Sequence, residues 1–176
     1  MRNAILLFVL VIIGLNGKSQ TEMKQKSNLD STELEKFLTV NHNYIKIPIL
    51  KITSGHLLIK AKLNGVEGDF ILDTGSGGTV IDISKEDKFK IKIDTLNDEA
   101  VGAGGSLSLQ HSVNNTFKLG KLLKKDFEIY VMNLDNVNNA LTLMGMNVVD
   151  GVIGADILVG NKAIIDYSNL ILYLQL

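Results

Sequence analysis

Phe70-Ile71-Leu72-Asp73-Thr74-Gly75-Ser76 is the stretch on which the reading of this chain turns. Three consecutive apolar residues read as a short strand buried on both faces. A strand of that kind carries the next residue, Asp73, into a protected place, where an ion is costly unless it is hydrogen-bonded. Thr74, Gly75 and Ser76 supply short donors. Gly75 lets the backbone turn sharply enough to aim N–H groups back at the acid. Gly77-Gly78 keeps the space in front open, and Thr79-Val80-Ile81 resumes a strand. Strand, acid, glycine turn, strand is the layout of a carboxylate presented at the floor of a cleft. The plainer alternative is an Asp capping a tight turn in an unrelated β barrel.

Working upstream, Leu57, Ile59, Ala61 and Leu63 alternate with polar partners, and Asn64-Gly65 signals a tight turn. Leu57 to Leu72 therefore reads as a hairpin whose second strand runs into Asp73. Tyr44 to Ile49 alternates like an edge strand, where its one Pro is tolerated. Downstream, Ala100 to Leu109 has the composition of a flexible hairpin, and Val113 to Val131 gives two strands around Leu119-Gly120-Lys121. Asn133 to Asn147 reads as a loop with a helical turn. Val152-Ile153-Gly154 is a very short apolar strand, and Ala155 to Leu158 a helical turn. Two last strands, around Ala163–Tyr167 and Leu170–Leu174, are joined at Ser168-Asn169. Many short strands at regular spacing predict an all-β fold, a small closed barrel-like domain with one or two short helical turns.

Length and composition agree with one domain. Of the 176 residues 45% are hydrophobic, Gly is plentiful at 16 and Pro occurs once, which favours strands and turns. The formal net charge of −1 carries no footprint for nucleic acid. There is no Cys, hence no disulfide, thiolate chemistry or Cys-based metal site. Met1-Arg2-Asn3 followed by the apolar run Ala4 to Leu15 and by Gly17-Lys18-Ser19 reads as a signal peptide over residues 1–19. A membrane anchor is the alternative, but a span needs roughly 20 apolar residues. The expected location is therefore exported, periplasmic or secreted, with no stable membrane span in the mature chain. Residues 20–43 are polar and read as a linker, with Asp30-Ser31-Thr32-Glu33 resembling a capping box ahead of a short helix.

The stretch from Leu63 to Ser76 resembles the active-site hairpin of the retropepsin-like aspartic proteases, in which an apolar run leads into Asp-Thr-Gly followed by Ser or Ala. The resemblance extends to a later mark, two apolar residues and a Gly before a helical turn, matched by Val152-Ile153-Gly154. Between the two, Val101-Gly102-Ala103-Gly104-Gly105 stands where that family has its flap; a mere turn is the alternative. The match covers nearly all of residues 44–176 and is nearest in kind to the exported bacterial members. It implies an aspartic-type endopeptidase with Asp73 as catalytic carboxylate, acting on peptide or protein substrates without metal or cofactor. Because the chain has a single such motif, it implies a symmetric homodimer with one Asp73 from each chain. Thr74 would then be buried at the dyad, and Gly75 and Ser76 would bond the carboxylates. The alternative function is a non-catalytic peptide-binding module on the same fold.

Other candidates have plainer readings. Asp156 is a possible second acid but reads better as capping the helical turn after Gly154. Asp82, Asp150 and Asp166 read as solvated or capping. His42, His56 and His111 lack ligand spacing. The closing strand Leu170 to Leu174 is apolar on both faces, so it should be covered, either by Ala163 to Tyr167 or by interleaving with a second chain.

Overall fold

The hairpin that delivers Asp73 is the organising unit of the structure, a computed structural model that describes residues 32–102 and 105–176. Its strands are β3 (Leu57–Leu63) and β4 (Val66–Leu72), joined by Asn64 and Gly65, both at positive φ. That is the two-residue turn whose twist suits a hairpin. Along β3, Leu57, Ile59, Ala61 and Leu63 are buried and Lys60 and Lys62 are exposed. At the end of β4 the alternation gives way: Phe70, Ile71 and Leu72 are all buried. Phe70 and Leu72 enter the main core, while Ile71 faces Leu141 and Val149 on the other side of the sheet.

The remaining barrel strands are β5 (Val80–Asp82), β7 (Gly105–Leu119), β8 (Leu122–Met132) and β9 (Gly151–Ile153). They run in the order β3-β4-β9-β5-β8-β7, and β7 returns to β3 through Lys62↔Lys118 and Leu63↔Phe117. Closure removes the open edges a sheet of this size would otherwise expose. β2 (Leu50–Lys51) extends β3, and β6 (Asp94–Gly102) forms a hairpin with β7 that projects from the barrel order. This hairpin starts at Asp94, earlier than the Ala100 expected from composition. The all-β closed barrel expected from the strand spacing is the observed fold.

A second sheet holds the chain ends. β11 (Ile171–Gln175) lies between β1 (Tyr44–Pro48) and β10 (Ile164–Asp166), antiparallel to both. Its apolar character on both faces is thereby explained. Leu172 and Leu174 enter the main core; Ile171 and Tyr173 pack with Leu38 of α1, the helical segment at residues 32–41. The closing strand is thus covered by its own chain on both sides, by β10 as one of the two alternatives expected and also by β1.

Among the described residues three further α-helices are short, α2 (Glu86–Phe89), α3 (Asp135–Leu143) and α4 (Ala155–Gly160), and a 3-10 helix at Ile83–Lys85 precedes α2. α3 replaces the loop with a helical turn expected for Asn133 to Asn147. It is tied down by buried Asn138, whose amide nitrogen donates to Asp82 Oδ2 (2.9 Å) and whose oxygen accepts from Val149 N (2.8 Å). Among the described residues no helix is long and apolar enough to cross a membrane. The signal, the cleavage point and the polar segment up to residue 31 lie outside the described residues.

Candidate active site

Asp73 follows β4 directly and extends its parallel pairing with β9, donating its N–H to Ile153 O at 3.0 Å. The Val152-Ile153-Gly154 segment therefore stands beside the acid. Asp73 is exposed at the surface of the single chain. Its Oδ1 accepts from Gly75 N at 2.8 Å, and its carbonyl accepts from Ser76 N at 3.3 Å, closing the turn. Ser76 differs from expectation. Its hydroxyl donates to Gly78 O at 2.8 Å and so braces the loop instead of the carboxylate.

Two glycines let the loop pack. A Cβ on Gly154 would stand 2.4 Å from Gly78 O and 2.9 Å from Ser76 O, both backbone atoms. At that junction Ala155 N donates to Ser76 O at 2.8 Å, joining the acid loop to the start of α4. A Cβ on Gly78 would stand 2.4 Å from the ring of Tyr130. Tyr130 N in turn donates to Thr79 O at 3.0 Å, and its ring meets His111 edge-on at 4.9 Å. Tyr130 is a supporting residue that sequence reasoning missed. The only signal for it was Gly78, whose missing side chain leaves room for a large neighbour.

Beneath the loop, buried Thr79 is gripped by Asp156. Its N–H and hydroxyl donate to the two carboxylate oxygens, each at 2.9 Å, and Ile157 N donates to Asp156 Oδ1 at 2.8 Å. Asp156 thus serves its own helix, as read from sequence, and also locks α4 to β5. With three donors on its two oxygens it is a structural carboxylate.

Asp82 caps, as one of its two readings expected, but from a buried position: it accepts from Ser84 N at the start of the 3-10 helix Ile83–Lys85 and from Asn138. Asp150 is buried and paired with Lys88 at 2.7 Å, while also accepting from Asp69 N at 2.9 Å. A carboxylate taken out of water needs such partners. Asp166 does cap a turn, accepting from Ser168 N and Asn169 N. Partial burial pushes its pKa up, and the bonds from Asn169 and Ser168 outweigh that and hold it below the ordinary value. His56 bonds Ser54, and His111 pairs with Glu128 at 2.7 Å.

Thr74 is exposed and borders a surface pocket shared with α4 and β10. Of the glycine-bearing segment, Val101 pairs with Ser106 and Gly102 with Gly105, at the end of the β6–β7 hairpin. Ala103 and Gly104 lie outside the described residues.

A family model described as aspartyl protease matches residues 59–157, a span holding the hairpin, the Asp73 loop, the β6–β7 hairpin and the start of α4. Among solved structures the chain is similar to a retropepsin-like aspartic protease from Rickettsia conorii. The identity there is 20%, with 76% of this chain and 94% of that one covered at a TM-score of 0.52. EIAV protease complexed with the inhibitor HBY-793 is a further match, at 17% identity, 58% and 85% coverage and a TM-score of 0.42. No curated protein matches the sequence.

Proposed function

The chain belongs to the aspartyl protease family, and from that premise we propose that it is an aspartic-type endopeptidase whose active site is completed by Asp73 from two copies. The observation that carries this reading is the placement of Asp73. It sits exposed at the end of a buried strand, on a loop pinned by Gly75 N, by Ala155 N and by the contact of Gly154. Peptide hydrolysis by water needs a base toward the water and an acid toward the carbonyl oxygen. Two carboxylates that share one proton supply both, because like charges that close cannot both ionise comfortably. A single Asp73 cannot hold both states at once, and Asp156 is committed to Thr79. A second Asp73, related by a twofold axis, meets the need with no further residue type.

The test is direct. The purified protein should cleave unstructured peptides between apolar residues at mildly acidic pH. Asp73→Asn should lower turnover by about 10²–10⁴-fold or more, with an unchanged thermal transition. Equal cleavage by that variant would remove Asp73 from the chemistry.

One observation favours a second reading, a peptide-binding module without catalysis. The Ser76 hydroxyl is spent on Gly78 O, leaving Asp73 with Gly75 N as its loop donor. Binding of peptides by a folded dimer, with no turnover from acid to neutral pH, would select this reading.

A further inference from the structure

The face of the barrel sheet that carries Asp73 can be followed strand by strand. Ile71 lies on the side away from the main core, and by alternation along β4 Asp73 leaves on that same side. The neighbours across the sheet are Ile71↔Val152, Val152↔Val80, Val80↔Tyr130 and Tyr130↔His111. Residues directly opposite each other share a face, so Tyr130 stands on the Asp73 side. Ile129 and Val131, which flank it in β8, enter the core instead. At the Ile71 end this face is covered by Leu141 of α3. At the other end Tyr130 itself fills the space. Its half-buried ring lies against Gly78, where a Cβ would come within 2.4 Å of it. One residue earlier, a Cβ on Gly77 would meet nothing within 4 Å. The open space in front of the acid loop therefore ends at Tyr130. The ring also meets His111 edge-on, at the root of the β6–β7 hairpin, where His111 lies opposite Asp94 and its Nδ1 is 2.7 Å from Glu128 Oε1. Tyr130 thus bridges the acid loop and that hairpin.

We infer that Tyr130 is a specificity-determining residue: it walls off one end of the substrate cleft and excludes large side chains there. The inference rests on the peptidase reading above, with an extended peptide lying between the acid loop and the β6–β7 hairpin. The excluded position follows from spacing. The path from β4 through β9 and β5 to β8 is three strand separations, about 14 Å at roughly 4.8 Å each, and an extended peptide advances about 3.3 Å per residue. Tyr130 therefore meets a substrate side chain about three or four residues from the scissile bond. The wall is braced on both sides, by the Gly78 backbone and by His111, which Glu128 holds in turn. A ring fixed in this way discriminates by size, and in an apolar pocket one added methylene already changes rates roughly 10–200-fold. The substrate class is an extended peptide with a small side chain, such as Gly, Ala or Ser, at that position.

The probe is a peptide that the protein cleaves, remade with Ala or with Trp at the third and at the fourth residue on either side of the cut. Wild type should favour the Ala peptide at one of these positions. Tyr130→Ala should raise the Trp-to-Ala ratio of kcat/KM there at least about tenfold. Should that variant fail to fold, Tyr130→Leu keeps more of the packing and should move the ratio the same way. Tyr130→Phe keeps the ring and should keep the wild-type ratio. If Tyr130 served only to hold the acid loop, its loss would slow both peptides alike, because a displaced Asp73 attacks every substrate less well, and the ratio would not move. An unmoved ratio at all of these positions, in an enzyme that Asp73→Asn inactivates, would overturn the wall and leave the peptidase reading standing. A protein that cleaves no peptide would overturn both.

Discussion

At the scale of the residue, the site depends on what is absent as much as on Asp73. Gly154 faces Gly78 O at a distance no side chain tolerates, and the atom in the way is backbone, which cannot swing aside. Gly154→Ala should therefore push the acid loop off α4 and stretch the Ala155 N to Ser76 O bond. The expected cost is about 1–3 kcal/mol of stability, the range for forcing an extra group into a packed site. Activity should fall further than stability alone explains, because the loop that sets the position of Asp73 is the part displaced. Urea unfolding and peptidase assays on the same preparation measure the two effects; a variant with unaltered midpoint and rate would contradict the close contact. The acid and its turn were readable from sequence because apolar run, Asp, Thr and Gly are adjacent and act locally. Tyr130 and the grip of Asp156 on Thr79 were not, since each partner comes from a distant segment.

At the scale of the element, α3 shows how a polar contact positions a helix with few apolar residues. Only Asn138 and Leu141 of it are buried. Asn138 links Asp82 at the end of β5 with both backbone groups of Val149, just ahead of β9. Asn138→Leu keeps the bulk and removes the bonds. It should cost about 1–3 kcal/mol for each buried polar group left without a partner, Asp82 above all. The check is the denaturation midpoint at neutral pH: a fall is expected, and an unchanged midpoint would mean that Asp82 and Val149 find other partners. The sequence pointed to a helical turn here but not to nine helical residues. The Asn-rich composition reads as loop, and the anchor is a tertiary bond. The hairpin β3–β4 was readable in full, because alternation and the Asn64-Gly65 turn both lie within it. β6 begins before its glycines do, and nothing local marks that start.

At the scale of the whole molecule, the closed barrel places a single acid at the end of β4, and the second sheet gathers both ends of the described chain beside it. Which strand would cover β11 was beyond local pattern. Ile171 to Leu174 announces only that cover is needed, and the partner β1 comes from the opposite end of the domain. That pairing makes β11 the central strand of its sheet and leaves β1 and β10 at the edges. Everything functional then hangs on whether one chain or two make the site. The direct measurement is subunit mixing: wild-type chain is held at a fixed concentration that saturates the dimer, and Asp73→Asn chain is added and allowed to exchange. Random pairing predicts that cleavage falls to about half at equal amounts and continues to fall with excess variant. Cleavage that stays at the wild-type level however much Asp73→Asn chain is added would show that one chain suffices and would contradict a shared site.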